Sequence, residues 1–391
     1  MHNSSWARQA SYLLLSCAIA PVALLSQSLT TLHSFDGSDG AQVFASLIQA
    51  KNGNFYGTTH IGGAHVRGTV FEITPEGALS TLHSFDDADG SSPEAALVLG
   101  SDGDFYGTTT LGGTHLNGTV FKITPGGNLT TLHSFSRNKD GAQLVAPLVK
   151  GKDGDFYGTT SQGGPHDGGT VFKITPSGAL TTLYAFCAQQ SSDVCLDGEY
   201  PLGGLVQGAN GSFYGTTESG GVNDAGAIFE ITTGGKLTVL HSFAGTGADT
   251  DGRQPSAGLV LASSGNFYGT TPAGGANNIG TVFEMTPGGV LTTLHNFDGA
   301  DGASPTGNLI EGANRNLYGV TTIGGANGTG TIFEVTLNGK LTSLYSFNSH
   351  HGQGDEPLAG LIQGINGDLY GTTTVHGQFS DGTVFQFSLD E

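Results

Sequence analysis

From residue 29 onward, apolar and polar positions do not follow the 3.6-residue spacing of helices. They arrive in short runs rich in Val, Ile, Leu, Thr, Phe and Tyr, separated by clusters of Gly, Asn, Asp and Pro. Such runs suit pleated, half-buried strands, and the clusters suit tight turns. Four runs make one unit. In the second unit they occupy 96–99, 105–109, 119–124 and 129–135, called strands a, b, c and d below.

The unit recurs along the whole chain. Its anchor, Tyr-Gly, then Thr or Val, then Thr, begins at Tyr56, Tyr106, Tyr157, Tyr214, Tyr268, Tyr318 and Tyr370. The steps are 50, 51, 57, 54, 50 and 52 residues, a period that fits four-stranded propeller blades. Between a and b lie Asn52-Gly53, Asp102-Gly103 and their equivalents, which predict type I′ hairpins. Asn314-Arg315 breaks that pattern and predicts a distorted turn. Between c and d, Pro75-Glu76-Gly77 and its equivalents predict reverse turns.

The order of the units predicts how the sheets close. The repeat region opens on a lone d strand at 29–35 and ends on an a-b-c set finishing at 382–387. In a ring the first d strand completes the last sheet and hides two edges. The expected fold is therefore all-β: a seven-bladed β-propeller of four-stranded antiparallel blades, closed by pairing of the N-terminal strand with the C-terminal blade. Nineteen of the 22 phenylalanines fall in three repeat columns, such as Phe35, Phe55 and Phe71, and are expected to pack sheet on sheet. The glycine after each tyrosine, such as Gly57, is expected to let a neighbouring blade approach.

Residues 1–28 differ. Arg8 precedes an apolar stretch from Tyr12 to Leu25 broken by Pro21, and Ser26 and Ser28 suit a cleavage site. This predicts a signal peptide over 1–28, with cleavage after Ala20 as the alternative, and one domain over 29–391. Leu14-Leu15-Ser16-Cys17 resembles a lipobox, but the apolar run continues past Cys17. The other cysteines, Cys187 and Cys195, fit a disulfide closing a loop inserted in the longest step, consistent with a periplasmic or extracellular protein.

Charge narrows the partners. Lys plus Arg number 13 against 33 Asp plus Glu, a net −20. This repels phosphate backbones and argues against nucleic acid. No membrane span and a monomer are expected.

The blocks Asp-Gly-Asp-Phe-Tyr-Gly-Thr-Thr, Gly-Thr-Val-Phe-Lys-Ile-Thr-Pro and Leu-Thr-Thr-Leu-His-Ser-Phe, within 102–135, resemble the GloVer tandem-repeat family over 29 to about 389. The resemblance implies an exported bacterial protein and no defined activity. It also implies a separate C-terminal anchor in many relatives, which is not expected in this chain. The blades further resemble NHL and lactonase-type propellers, a likeness of fold alone.

In this strand order the b–c and d–a loops share one face, and these loops vary while the other turns do not. Gly-Gly-x-His places His65, His115 and His166 in the b–c loops of consecutive units, with His60 and His376 nearby. Glu218 is the one carboxylate directly following a b strand. These six residues are the candidate ligand-binding set. The d–a loops carry Asp36, Asp39, Asp298 and Asp301, whose carboxylates suit Ca²⁺ or another divalent metal, but they lack the full Asp-x-Asp-x-Asp-Gly pattern with a distal Glu, and Asx-type turns are the preferred reading. His33, His83, His133, His241 and His295 share a d-strand column and are expected to pack and hydrogen-bond. No Gly-x-Ser-x-Gly or His-Glu-x-x-His motif is present. Two functions follow. The first is a non-catalytic scaffold that binds a protein or glycan on the variable face. The second is a carbohydrate- or lactone-directed lyase or hydrolase on the b–c/d–a loop face, with metal assistance there as an option.

Overall fold

A computed structural model of the chain describes residues 27–245, 251–348 and 353–389. The segment read as a signal peptide lies almost wholly outside them. The described residues form seven four-stranded antiparallel sheets, a two-stranded hairpin, and no helix. In blade 1, strand a is Ile48–Gln49, b is Phe55–Thr59, c is Thr69–Ile73 and d is Leu79–Ser84. Strand a is shorter than its sequence pattern, because the residues before it turn toward the axis of the ring.

The ring closes as the strand order predicts. Leu29–Ser34 pairs with Thr383–Phe387, with Leu29 opposite Phe387 and Ser34 opposite Thr383. It is the d strand of blade 7. Aromatic packing crosses the same seam: the Phe55 and Tyr370 rings lie 4.2 Å apart, repeating Tyr56 on Phe105 and Tyr106 on Phe156 between other blades. Each d-strand phenylalanine also meets the c-strand phenylalanine of the next blade, as Phe35 meets Phe71 at 5.3 Å and Phe347 meets Phe385 at 5.4 Å. All four are fully buried. Burying such a side chain contributes roughly 1.5–3 kcal/mol, so the columns are the main store of stability.

Three local expectations change. The a–b turns are not type I′: only Gly53, not Asn52, has positive φ. Gly53 N–H donates to Ala50 O and Ala50 N–H to Asn54 O, giving a three-residue loop with a left-handed third residue. The turn at Asn314-Arg315 is not distorted, since Arg315 takes φ 65° and repeats the same two hydrogen bonds through Gly312. Gly57 makes room within its own blade: a Cβ there would lie 2.6 Å from Cζ of Phe71 and 3.0 Å from Leu47 Cδ2.

On the face opposite the variable loops, each Tyr hydroxyl is held by a polar clasp whose members swap together. In blade 1 it meets Glu72 Oε1 at 2.6 Å, beside Asn52. In blade 2 the carboxylate has moved to the turn, as Asp102, and strand c carries Lys122. Burial first, then the Asp102 hydrogen bond, pushes Tyr106 up to about 12.

Candidate functional site

The b–c and d–a loops do share a face: isolated bridges join Ala41 to Ile61 and Ser91 to Leu111. At its centre lies a cavity of about 480 Å³ around the axis. Phe44, Glu94, Val145, Leu202, Ser256, Thr306 and Leu358 line it, one per blade, with Ser46, Ala96, Pro147, Gly204, Asn308 and Gly360 two positions further on. Between these tiers runs a column of Ala or Gly, because backbones crowd near the axis. A Cβ on Gly203 would come within 2.6 Å of Ala257 O.

A strained backbone position holds this rim. Gln42, Ser92, Gln143, Tyr200, Gln254, Ser304 and Glu356 have φ between 52° and 58°, and none is glycine. Left-handed backbone costs such residues about 1–2 kcal/mol each. Each N–H donates to a b–c loop carbonyl of the preceding blade, as Ser92 does to Arg67 O at 2.8 Å and Gln42 to Asp381 O at 2.9 Å across the seam. In six blades their carbonyls accept from the residue that follows strand b, as from His60 on Gln42, Thr110 on Ser92 and Glu218 on Tyr200; in blade 5 that residue is Pro272, which has no N–H to give. The strain is thus offset by a hydrogen-bonded hoop between blades.

That hoop sets two side chains together. His60 follows strand b of blade 1, and Glu94 lines the cavity from blade 2. Nδ1 of His60 lies 3.3 Å from Oε1 of Glu94, without hydrogen-bond alignment, so the buried Nδ1 has no hydrogen-bond partner. Both side chains are about one-quarter exposed (22% and 26%). Burial holds the imidazole below its usual range. Burial lifts the Glu94 carboxyl, with a smaller opposing hydrogen bond to Thr110. Both groups are therefore biased toward their neutral forms. The Phe44 ring sits 4.9 Å from His60. Ser256 Oγ and Thr374 Oγ1 are also buried without partners.

The other predicted residues fall elsewhere. His65, His115 and His166 are exposed at loop tips. His376 is half exposed (52%) and its Nδ1 pairs with the buried Asp355 carboxylate at 2.6 Å. Glu218 occupies the same repeat column as His60, three blades away, and burial raises its carboxyl. Among the described residues, the one group of metal-type donors within mutual reach is Cys187, Cys195 and Glu199, and its two sulfurs form the disulfide. The aspartates are engaged locally. Asp36 Oδ1 accepts from Ser38 N–H at 2.9 Å, and Asp39 Oδ2 meets His33 Nε2 at 2.7 Å. Asp298 accepts from Ala300 N–H at 2.9 Å, and Asp301 meets His295 at 2.6 Å. The d-strand histidines thus staple their loops, as their column predicts.

The tips bring up apolar side chains instead. Phe379, Val66, Leu111 and Leu116 are 51%, 61%, 44% and 65% exposed, on blades 7, 1 and 2, which are consecutive around the ring. Sequence reasoning missed Glu94 and Phe44. Their signal was a column of the repeat where each unit differs: Phe44, Glu94, Val145, Leu202, Ser256, Thr306, Leu358. Phe44 and Phe379 also stand outside the three scaffold columns of phenylalanine.

Solved structures resemble this fold at low identity. A candidate 6-phosphogluconolactonase of Bacteroides fragilis matches with a TM-score of 0.50 and 16% identity over 80% of this chain and 85% of its own. The periplasmic gluconolactonase of Pseudomonas aeruginosa matches at 0.49 and 16% over 77% and 84%. A candidate oxidoreductase of glucose-dehydrogenase type from Thermus thermophilus matches at 0.48 and 14% over 93% and 100%. At such identities the likeness is one of fold. No curated protein sequence matches this one. The model of the Gloeobacter/Verrucomicrobia repeat matches residues 19–210 and 201–391, nearly the whole chain, and the protein belongs to that family.

Proposed function

We propose that this protein is an exported recognition propeller that binds a protein or glycan on its loop face. One observation carries the reading: Phe379, Val66, Leu111 and Leu116 expose apolar surface in the b–c loops of three consecutive blades, outside every scaffold column. Contiguous apolar surface rimmed by polar groups marks interaction sites. The strongly negative charge favours a neutral or basic partner. Glycan-array and crosslinking experiments with wild type and a V66S/L116S/F379S variant test it. Binding that the triple variant loses, with its fold intact, is expected. Binding indifferent to all three substitutions overturns the reading.

A second reading, a carbohydrate- or lactone-directed hydrolase or lyase, is favoured by the His60–Glu94 contact alone. A neutral carboxyl beside a neutral imidazole can serve as acid and base. Turnover of a lactone or glycoside panel that E94Q abolishes would support it. Equal background rates in wild type and E94Q would remove it.

A further inference from the structure

We propose that the axial cavity is a binding site for one small, neutral, polyhydroxylated molecule of monosaccharide size, with Phe44 as its apolar platform and Glu94 and Ser256 as polar contacts. This goes beyond the recognition reading above and stands independently of it, since it locates a second, distinct site on the same face.

Three observations lead here. The first is volume: about 480 Å³ lies within the roughly 300–1,000 Å³ of small-molecule sites. It is too small for a folded partner and sits behind the apolar tips rather than among them. The second is chemistry. The lining divides into apolar groups (Phe44, Val145, Leu202) and hydroxyl or amide groups (Ser256, Thr306, Asn308). A molecule with an apolar ring face and hydroxyl edges matches both halves. The third is unmet demand. Ser256, which lines the cavity, has its Oγ buried without a hydrogen-bond partner. A buried orphan polar atom costs about 1–3 kcal/mol, and a hydroxyl reaching it would relieve that cost.

Charge selects the class. No Lys or Arg lines the cavity, so nothing offsets the charge of an anion, and the surrounding surface is acidic. A metal ion needs several converging donors. Among the described residues no such group forms at the cavity. The single carboxyl, Glu94, is pressed toward its neutral form by burial, which suits donation to a hydroxyl better than pairing with a cation. The restriction to one sugar-sized unit follows from the crowding that Ala and Gly permit around the axis, as at Gly203 and Gly360.

The test uses the purified protein with three probe sets: neutral hexoses (D-glucose, D-galactose, D-mannose), sugar acids (D-gluconate, D-glucuronate) and D-glucosamine. Saturation-transfer NMR and thermal shift read binding, since a ligand of the folded state raises its melting temperature. At least one neutral hexose is expected to bind. F44A and E94A should weaken it roughly tenfold or more, while the tip variant V66S/L116S/F379S leaves it unchanged. F44L and E94Q, closer in volume, guard against misfolding and should fall between. Binding confined to sugar acids or glucosamine overturns the inference, as does hexose binding indifferent to Phe44 and Glu94. If no probe binds while a partner still engages the tips, the axial inference fails and the recognition reading stands. If tip-dependent binding fails while the cavity takes a hexose, the recognition reading alone is lost.

Discussion

His60 of blade 1 and Glu94 of blade 2 meet across a blade boundary, with 3.3 Å between Nδ1 and Oε1. The hydrogen-bonded hoop brings them there, since His60 N–H donates to Gln42 O while Ser92, two residues before Glu94, donates to Arg67 O. The pair is thus a product of ring geometry.

Its pH behaviour follows from burial. The His60 imidazole is held below its ordinary 6.5, so its contribution to stability is present above 6.5 and is lost as pH falls. Glu94 is raised above its ordinary 4.5, so its contribution is present below 4.5 and is lost as pH rises through the folded value. Melting temperature measured against pH should therefore fall less steeply below 6.5 in H60Q than in wild type. E94Q should remove the decline above 4.5. Unaltered profiles in both variants would contradict the burial argument.

The loop staples give a second acid-side effect. Asp140 is almost fully buried, with a side chain 5% exposed. Burial works to raise its carboxyl, but the His133 hydrogen bond and the Ser136 N–H carry it below the ordinary 3.8. Its contribution is present above 3.8 and disappears as pH falls through the lower folded value. D140N should cost about 1.5–3 kcal/mol near neutral pH, the range for hydrogen bonds to charged groups, and should flatten the melting profile below about pH 4. Urea denaturation at two pH values measures both.

Closure is open to a direct trial. Deleting 29–34 leaves the edge of Thr383–Phe387 unpaired, and an exposed edge invites association. The shortened chain should elute as larger species in gel filtration. A synthetic peptide of 29–35, added in trans, should restore the elution position of the wild-type protein and raise the melting temperature. A shortened chain that behaves as wild type would show the seam to be dispensable.

Two glycines of the repeat should answer oppositely to one substitution. Gly57 has ordinary backbone, but a Cβ would strike the Phe71 ring at 2.6 Å. Gly57→Ala should cost about 1–3 kcal/mol through overpacking, and Gly57→Asn more. Gly53 has φ 87° and open space around it. Gly53→Ala should cost about 1 kcal/mol from backbone strain alone, while Gly53→Asn should be near wild type because Asn accepts left-handed backbone. Arg315 already occupies that conformation. Chemical denaturation of the four variants decides between the two mechanisms.

The blade count, the four strands, the loop faces and the circular closure were all legible in the chain, because each rests on local alternation and turn chemistry repeated seven times. The His33 column was legible as well, since each His meets an Asp of the loop that directly follows it, six residues on for His33, His83 and His295, seven for His133 and ten for His241. What sequence could not order was distance across blades. His65, His115 and His166 share a motif yet end in solvent, because a loop motif sets the tip's backbone and not its direction relative to the axis. Glu94 and Phe44 carry no motif. They matter because seven inner segments converge on one axis, and only closing the ring places side chains from different blades around a common cavity.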